Sequence, residues 1–190
     1  MRYHRDDVLA HAHQLVATYG LGALTMRRLG AELGVQPSAI YHHFANKQTL
    51  LAAVAEEILR RGQRPRTADD ADWTGRVHEV CAELRDAMLA CTDGADVVAT
   101  VWAFGMGVQG PPLELEAILR AAGLDDDLAL VGSRTLLHYI FGHAFEEQTA
   151  IQAISAGAVE RELDSLPDFW TGLEVVVDGL RSRVEAAVRA

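Results

Sequence analysis

One glycine set between two apolar series constrains the first third of this chain more than any other feature. Met26, Leu29 and Leu33 recur at helical spacing, Gly34 interrupts them, and Ile40 and Phe44 resume the spacing after Pro37. Glycine enters left-handed backbone freely and suits a tight turn. Proline suits the first turn of a helix, where its fixed φ and missing N–H do no harm. The pattern predicts a short helix capped by Thr25, with Met26, Leu29, Ala31 and Leu33 as its apolar positions. A glycine turn and a second short helix over 37–44 follow. Ahead of this pair, Val8, Leu9, Ala12, Leu15, Val16 and Tyr19 predict a helix capped by Asp6 or Asp7 and stopped by Gly20 and Gly22. Behind it, Asn46 predicts the cap of a fourth helix with the stripe Leu50, Leu51, Val54, Ile58 and Leu59. Three helices plus a fourth make a small unit with a helix–glycine turn–helix at its centre.

The remaining sequence continues in the same idiom. A short polar break over 64–70 precedes predicted helices at 73–91, 95–108, 113–122, 127–154 and 168–190. Asp93-Gly94, Gly110-Pro111-Pro112 and Gly123 punctuate them, a loop spans 156–166, and Pro167 opens the last. Gly105 and Gly107 are poor helix-interior residues, so a bend or unwinding is expected near them. No segment alternates with the period of a strand, and the fold class is all-α. The two longest helices carry much apolar surface, including Leu128, Val131 and Phe145 on one and Trp170 and Val175-Val176-Val177 on the other. Such helices need neighbours on more than one side, which either an intrachain core or a two-fold four-helix dimer interface supplies.

Charge distribution separates the two regions. The chain carries −10 overall, which taken whole argues against nucleic acid. Residues 1–66, however, hold nine Lys/Arg against five Asp/Glu, so the first segment is +4 and the rest −14. Such asymmetry suits a nucleic-acid-facing end joined to something else. Two cysteines, no apolar run near the ~20 residues of a membrane span, and no signal-like opening give the expectation of a cytoplasmic protein with no membrane partner.

The chemistry-bearing stretch is Leu24 to Lys47. A helix entering a major groove must hold apolar residues inward and present short polar or aromatic ones outward. Ile40 and Phe44 supply the anchors, leaving Gln36, Ser38, Ala39, Tyr41, His42 and His43 outward. Arg27 and Arg28 open the preceding helix and Lys47 opens the next, where helix N-termini already favour phosphate. For Arg28 a solvated surface position competes with phosphate contact, and for His43 a packing role competes with a binding one. No phosphate loop, paired-cysteine metal motif or G-x-S-x-G sequence points to an enzyme.

The run L-T-x-R-x-L-x-x-x-L-G-V-x-x-x-x-I-Y-x-H-F-x-N-K resembles the helix-turn-helix of the TetR family of bacterial transcriptional regulators. Asp93-Gly94-Ala95 and Gly142-His143-Ala144-Phe145-Glu146-Glu147-Gln148 resemble the C-terminal domain of its tetracycline-repressor branch. The resemblance implies a DNA-binding domain over 1–47, a connecting helix and linker over 48–66, and a ligand-binding and dimerisation domain over 67–190. It implies base contacts from Arg27, Pro37, Ser38, Ala39, Tyr41 and His42, and phosphate contacts from Thr25, Tyr41, His43 and Lys47; Gln36 and Arg28 complete the expected DNA face. The partners implied are a double-stranded DNA operator, a small-molecule effector and a second copy joined through the last two long helices. Met88, Trp102, Phe104, Met106, His138, Tyr139 and Phe141 are the expected pocket residues, each also readable as plain core. In tetracycline-binding members a histidine shortly after the D-G-A triplet helps hold a metal–drug complex. Here Asp96 to Val101 contains none, so Glu146 and Glu147 are left without their imidazole, and no metal or cofactor is expected. The function implied is a repressor released from a palindromic operator by a largely apolar or aromatic effector. An architectural helix-turn-helix protein with no ligand is the alternative.

Overall fold

The computed structural model describes residues 3–65, 72–160 and 168–189, and every described element is helical. In chain order these are α1 (Arg5–Tyr19), a 3-10 turn (Leu21–Ala23), α2 (Met26–Leu33), α3 (Pro37–Tyr41), α4 (Lys47–Gly62) and α5 (Trp73–Leu89). Then come α6 (Gly94–Ala103), α7 (Gly110–Ala121), α8 (Asp126–Ser155) and α9 (Phe169–Arg189). The expected opening of the last helix by Pro167, and most of the polar break and of the loop over 156–166, lie outside the described residues. Among the described residues no helix is long and apolar enough to cross a membrane.

The chain divides into two compact units, Met1–Gln63 with Asp86–Val108, and Arg64–Arg85 with Gln109–Ala190. In the first, Leu15, Leu24, Leu29, Ile40 and Leu50 are fully buried, so α1 to α4 share one core. Each such side chain contributes about 1.5–3 kcal/mol relative to exposure. The caps act where the sequence places them. Thr25 Oγ1 accepts the Arg28 N–H at 3.1 Å, and Asn46 Oδ1 accepts the Thr49 N–H at 2.8 Å. Gly34, at φ 64°, closes α2 with the Gly34 N–H on Ala31 O and the Val35 N–H on Gly30 O, the paired bonds of a Schellman motif.

Several boundaries differ from the sequence expectation. The cap of α1 is His4, whose N–H donates to Asp7 Oδ2 at 2.7 Å, so Asp7 acts from inside the first turn rather than ahead of it. On α2 the buried series is Met26, Leu29, Gly30 and Leu33, and Ala31 is exposed. Positions 26, 29, 30 and 33 keep the helical period, and a Cβ on Gly30 would stand 2.9 Å from the Val35 carbonyl. Tyr19 is also exposed, with the Arg28 guanidinium 4.3 Å from its ring centroid. The third helix ends at Tyr41, although Phe44 stays buried in the turn beyond it. Helix α5 ends at Leu89, two residues early, and α7 starts at Gly110, with the prolines filling its first turn. Helix α6 stops at Ala103 rather than 108, because Gly105 at φ 68° ends it with Gly105 N–H on Trp102 O and Met106 N–H on Val101 O.

In the second unit, Leu115, Ile118 and Leu119 of α7 are buried, as are Leu136, Leu137 and Ile140 of α8 and Leu173 and Val177 of α9. Asp125 caps α8 through the Leu128 N–H at 2.8 Å. The other side of α8 is exposed. Leu128, Val131, Thr135, His138, Gly142 and Phe145 repeat at three- and four-residue steps and are all exposed. On α9, Val175 is 70% exposed and Trp170 47%.

Candidate nucleic-acid interface

Ile40 and Phe44 are buried, as the anchoring argument requires, and the residues between and around them are turned out. Tyr41 is 49% exposed. Gln36, Ser38, His42, Arg27, Thr25 and Lys47 are exposed, whereas Pro37, Ala39 and His43 are half-buried. Because α3 closes at Tyr41, His42 and His43 belong to the turn leading to α4 and not to a helix face. Arg28 is engaged within the protein, 3.5 Å from Glu32 Oε1 and over the Tyr19 ring. Two neighbours lie outside the set the motif marks. Tyr3 lines an open groove of about 750 Å³ together with Ala39, His42 and His43. The Arg5 guanidinium lies 4.6 Å from the Phe44 ring centroid, a cation–π contact that joins the start of α1 to the end of the recognition segment. The only sequence hint was a cation near the start of the chain.

The surface is held from behind. His13 on α1 is buried, and burial, with the nearby Arg61 cation, pushes its imidazole below the ordinary value of 6.5. On α4, Glu57 binds Arg60 and Arg61 at 2.7 Å each, and the Arg60 hydrogen bonds bring its carboxyl down to about 2. Two residues ahead of α6 reach the 3-10 turn and the first helix as well. Asp93 Oδ2 accepts the Leu21 N–H at 2.7 Å, and the Thr92 hydroxyl donates to Ala17 O at 2.8 Å.

The residues expected in a ligand pocket fall in both units. Met88 is fully buried, Trp102 and Met106 are half-buried, and Phe104 is 58% exposed just beyond α6; all four belong to the first unit. In the second, Phe141 is buried, Tyr139 half-buried and His138 exposed on α8. Tyr139 donates to Phe169 O at 2.7 Å, stacks on the Phe169 ring and is raised above its usual pKa, chiefly by burial. Glu147 is gripped by Arg85, whose Nη2 lies 2.6 and 2.7 Å from its two oxygens and whose Nε lies 3.0 Å from one. The Phe169 ring and His143 close over that fork, at 5.0 Å from the guanidinium and 3.6 Å from the carboxylate. Glu146 is exposed. Among the described residues no group of three or more His, Cys, Asp or Glu is placed to hold a metal ion. Burial pushes the thiols of Cys81 and Cys91 up to about 12 and 11, away from the thiolate a reactive cysteine needs.

A surface of this build matches a known family. The model for "Bacterial regulatory proteins, tetR family" matches residues 8–54, and the model "Tetracyclin repressor-like, C-terminal domain" matches residues 64–167. The chain belongs to the TetR family. BioQ from Mycobacterium smegmatis has a crystal structure 40% identical in sequence, with a TM-score of 0.86 over 95% of this chain and 98% of that one. BioQ crystallised with its natural double-stranded DNA operator is 39% identical, with a TM-score of 0.82 over 94% and 98% of the two chains. The tetracycline repressor class A of Escherichia coli, from transposon 1721, is 34% identical over 202 residues, covering 94% of this chain and 90% of that protein.

As a TetR-family member the protein is a ligand-responsive, DNA-binding regulator, and family membership sets it apart from enzymes. The Arg85–Glu147 pair is a feature of this regulator that its motif did not announce. Of the two acidic residues that resemble retained tetracycline-branch positions, Glu146 and Glu147, the second is tied up by a cation from α5.

Proposed function

We propose that this TetR-family regulator is a homodimeric repressor that leaves a palindromic operator when a small, largely apolar or aromatic effector binds. Residues 1–47 read the DNA, 48–66 connect, and 67–190 bind the effector and the second copy. The observation that carries the reading is the recognition segment itself, with Tyr41 exposed beside the fully buried Ile40. A tyrosine presented on so short a helix has little value for solubility and much for a groove. Arg27 is the residue assigned to base discrimination, because a bidentate Arg–guanine pair is worth roughly 1–3 kcal/mol. Tyr41, His42, Ser38, Ala39 and Pro37 share the groove, with Gln36 beside them, and Thr25, His43 and Lys47 hold phosphates. Arg28 serves the backbone only if it leaves Glu32.

The exposed faces of α8 and α9 support the dimer. Leu128, Val131 and Phe145 form an apolar stripe, and Gly142 and Gly179 have open space around them where another helix can approach. A two-fold dimer must place its recognition helices about 34–36 Å apart to meet successive major grooves. An effector shifts that spacing only through unequal affinity for the two conformations, typically worth about 1–3 kcal/mol. The relatives named as tetracycline repressors and BioQ's operator complex support the repressor reading. The missing histidine after Ala95 and the engagement of Glu147 by Arg85 favour an effector recognised without a metal.

The test is selection of duplexes from a randomised pool by the full-length protein. An inverted repeat with half-sites one helical turn apart, or a multiple, is the expected product. Enrichment of no sequence, or of a single unrepeated half-site, contradicts the proposal. A thermal-shift screen of apolar and aromatic small molecules then identifies effectors, as compounds that raise Tm and release the selected duplex.

A further inference from the structure

Glu32 is the one carboxylate among the residues from Leu24 to Lys47, a segment that also holds Arg27, Arg28 and Lys47. An anion there opposes a partner that carries a negative charge on every phosphate. It stands one helical turn beyond Arg28, and its Oε1 lies 3.5 Å from Arg28 Nε. The same guanidinium lies 4.3 Å from the Tyr19 ring centroid, so an aromatic face at the end of α1 holds it from a second side. The Arg28 N–H meanwhile donates to Thr25 Oγ1, which fixes its backbone at the start of α2 and leaves only the side chain to choose a partner. The neighbouring arginine meets different surroundings. The residues three and four positions to either side of Arg27 are Ala23, Leu24, Gly30 and Ala31, none of which can pair with it, and Arg27 is exposed.

We propose that Glu32 withholds Arg28 from the DNA backbone and so limits the sequence-independent part of operator affinity. Both side chains of the pair are open to solvent, 41% for Arg28 and 39% for Glu32, and such pairs are weak. A phosphate therefore competes with the Glu32 carboxylate for one guanidinium, and the carboxylate is the partner always present. Glu32 touches no base; it lowers affinity for every duplex alike, whereas Arg27 acts on one base pair. The inference rests on the DNA-binding reading above and deepens it.

The experiment uses full-length wild type, Arg27→Ala, Glu32→Gln, Arg28→Gln and the Arg28→Gln/Glu32→Gln double variant. Kd is read by fluorescence anisotropy across a salt series, on a duplex selected by the wild type and on an unrelated duplex, and Tm is measured beside it. Glu32→Gln is expected to tighten binding at least threefold on both duplexes at 0.1 M salt. The slope of log affinity against log salt should steepen by about 0.9, the increment of one further phosphate contact. Arg28→Gln should change Kd less than twofold, and adding Glu32→Gln to it should gain less than twofold again. Wild-type Kd and slope in Glu32→Gln overturn the proposal and leave the pair as support for α2, visible in Tm alone. A threefold gain that persists beside Arg28→Gln also overturns it, because the carboxylate then repels DNA by itself. So does a gain confined to the selected duplex. If wild type binds neither duplex, the DNA-binding reading fails and the proposal falls with it. If wild type binds, Arg27→Ala weakens it and Glu32→Gln leaves it unchanged, the reading stands and the proposal alone fails.

Discussion

The Asp93 carboxylate accepts the backbone N–H of Leu21 at 2.7 Å, fastening the turn ahead of α6 to the 3-10 turn that follows α1, across 72 residues of sequence. Gly20 leaves the room for it, since a Cβ there would stand 2.5 Å from Asp93 Oδ2. Losing the acceptor leaves a part-buried amide without its partner, at a cost of about 1–3 kcal/mol. Asp93→Ala should therefore lower urea-denaturation stability by that amount. Asp93→Asn, which tolerates left-handed backbone and keeps an acceptor oxygen, should cost less. Equal losses in the two variants would show that the carboxamide oxygen cannot replace the carboxylate.

The buried anchor and the proposed reading residue are neighbours on α3. Ile40→Ala opens a cavity in a fully buried site and should cost about 2–5 kcal/mol of stability in denaturant titration. Tyr41→Ala removes an exposed ring and should shift stability by no more than about 0.5 kcal/mol. Stability losses of similar size in the two variants would mean that Tyr41 packs rather than reads.

Acid acts on the first unit in two windows. His13 has its folded pKa depressed by burial and by Arg61, with Glu57 opposing. Its neutral form is the one that folds, so stability is complete above 6.5 and falls as the pH drops below that value, where the unfolded chain takes up the proton first. Glu57 contributes above its ordinary 4.5 and loses that contribution as the pH falls toward 2. Its carboxylate pairs with arginines more than half exposed, so solvent screening keeps this second effect small. His13→Gln should flatten the stability profile just below 6.5 and leave the window below 4.5 unchanged. An unaltered slope in both windows contradicts the assignment.

How far the sequence could be read depends on the range of the interaction. Thr25, Gly34, Pro37 and Asn46 act on their own neighbours, and each behaves in the structure as its position in the chain requires. The Ile40–Phe44 spacing runs past the end of α3 because it continues through a turn, with the Phe44 N–H still bonded to Ile40 O. Gly30, not Ala31, holds the buried place on α2, and glycine carries no apolar signature to announce it. The carboxylate contacts of Asp93 and Glu147 were invisible, since their partners lie 72 and 62 residues away. No periodicity reports such a pairing.

The Arg85–Glu147 fork gives a separate prediction for the second unit. Removing one partner strands a half-buried charge, whereas replacing both with apolar groups of similar size leaves none. Arg85→Met and Glu147→Leu alone should each destabilise the protein by about 1–3 kcal/mol, the double variant by less than their sum. Additive losses in thermal or urea unfolding would rule out coupling between the two.

The exposed stripe of α8 predicts a change of assembly. Val131→Asp and Phe145→Asp place charges on the apolar face assigned to the second copy. Sedimentation should show the wild type as a dimer and the paired variant shifted toward monomer. A variant that sediments as wild type would move the interface elsewhere.

Whether the Leu24 to Lys47 segment reads DNA is decided by the Kd of full-length wild type, Arg27→Ala and Tyr41→Ala for a selected duplex at fixed salt. At least a tenfold loss is expected for each variant, with Arg27→Ala also relaxing discrimination at one base pair. Wild-type affinity in both variants, with their folding intact, contradicts it.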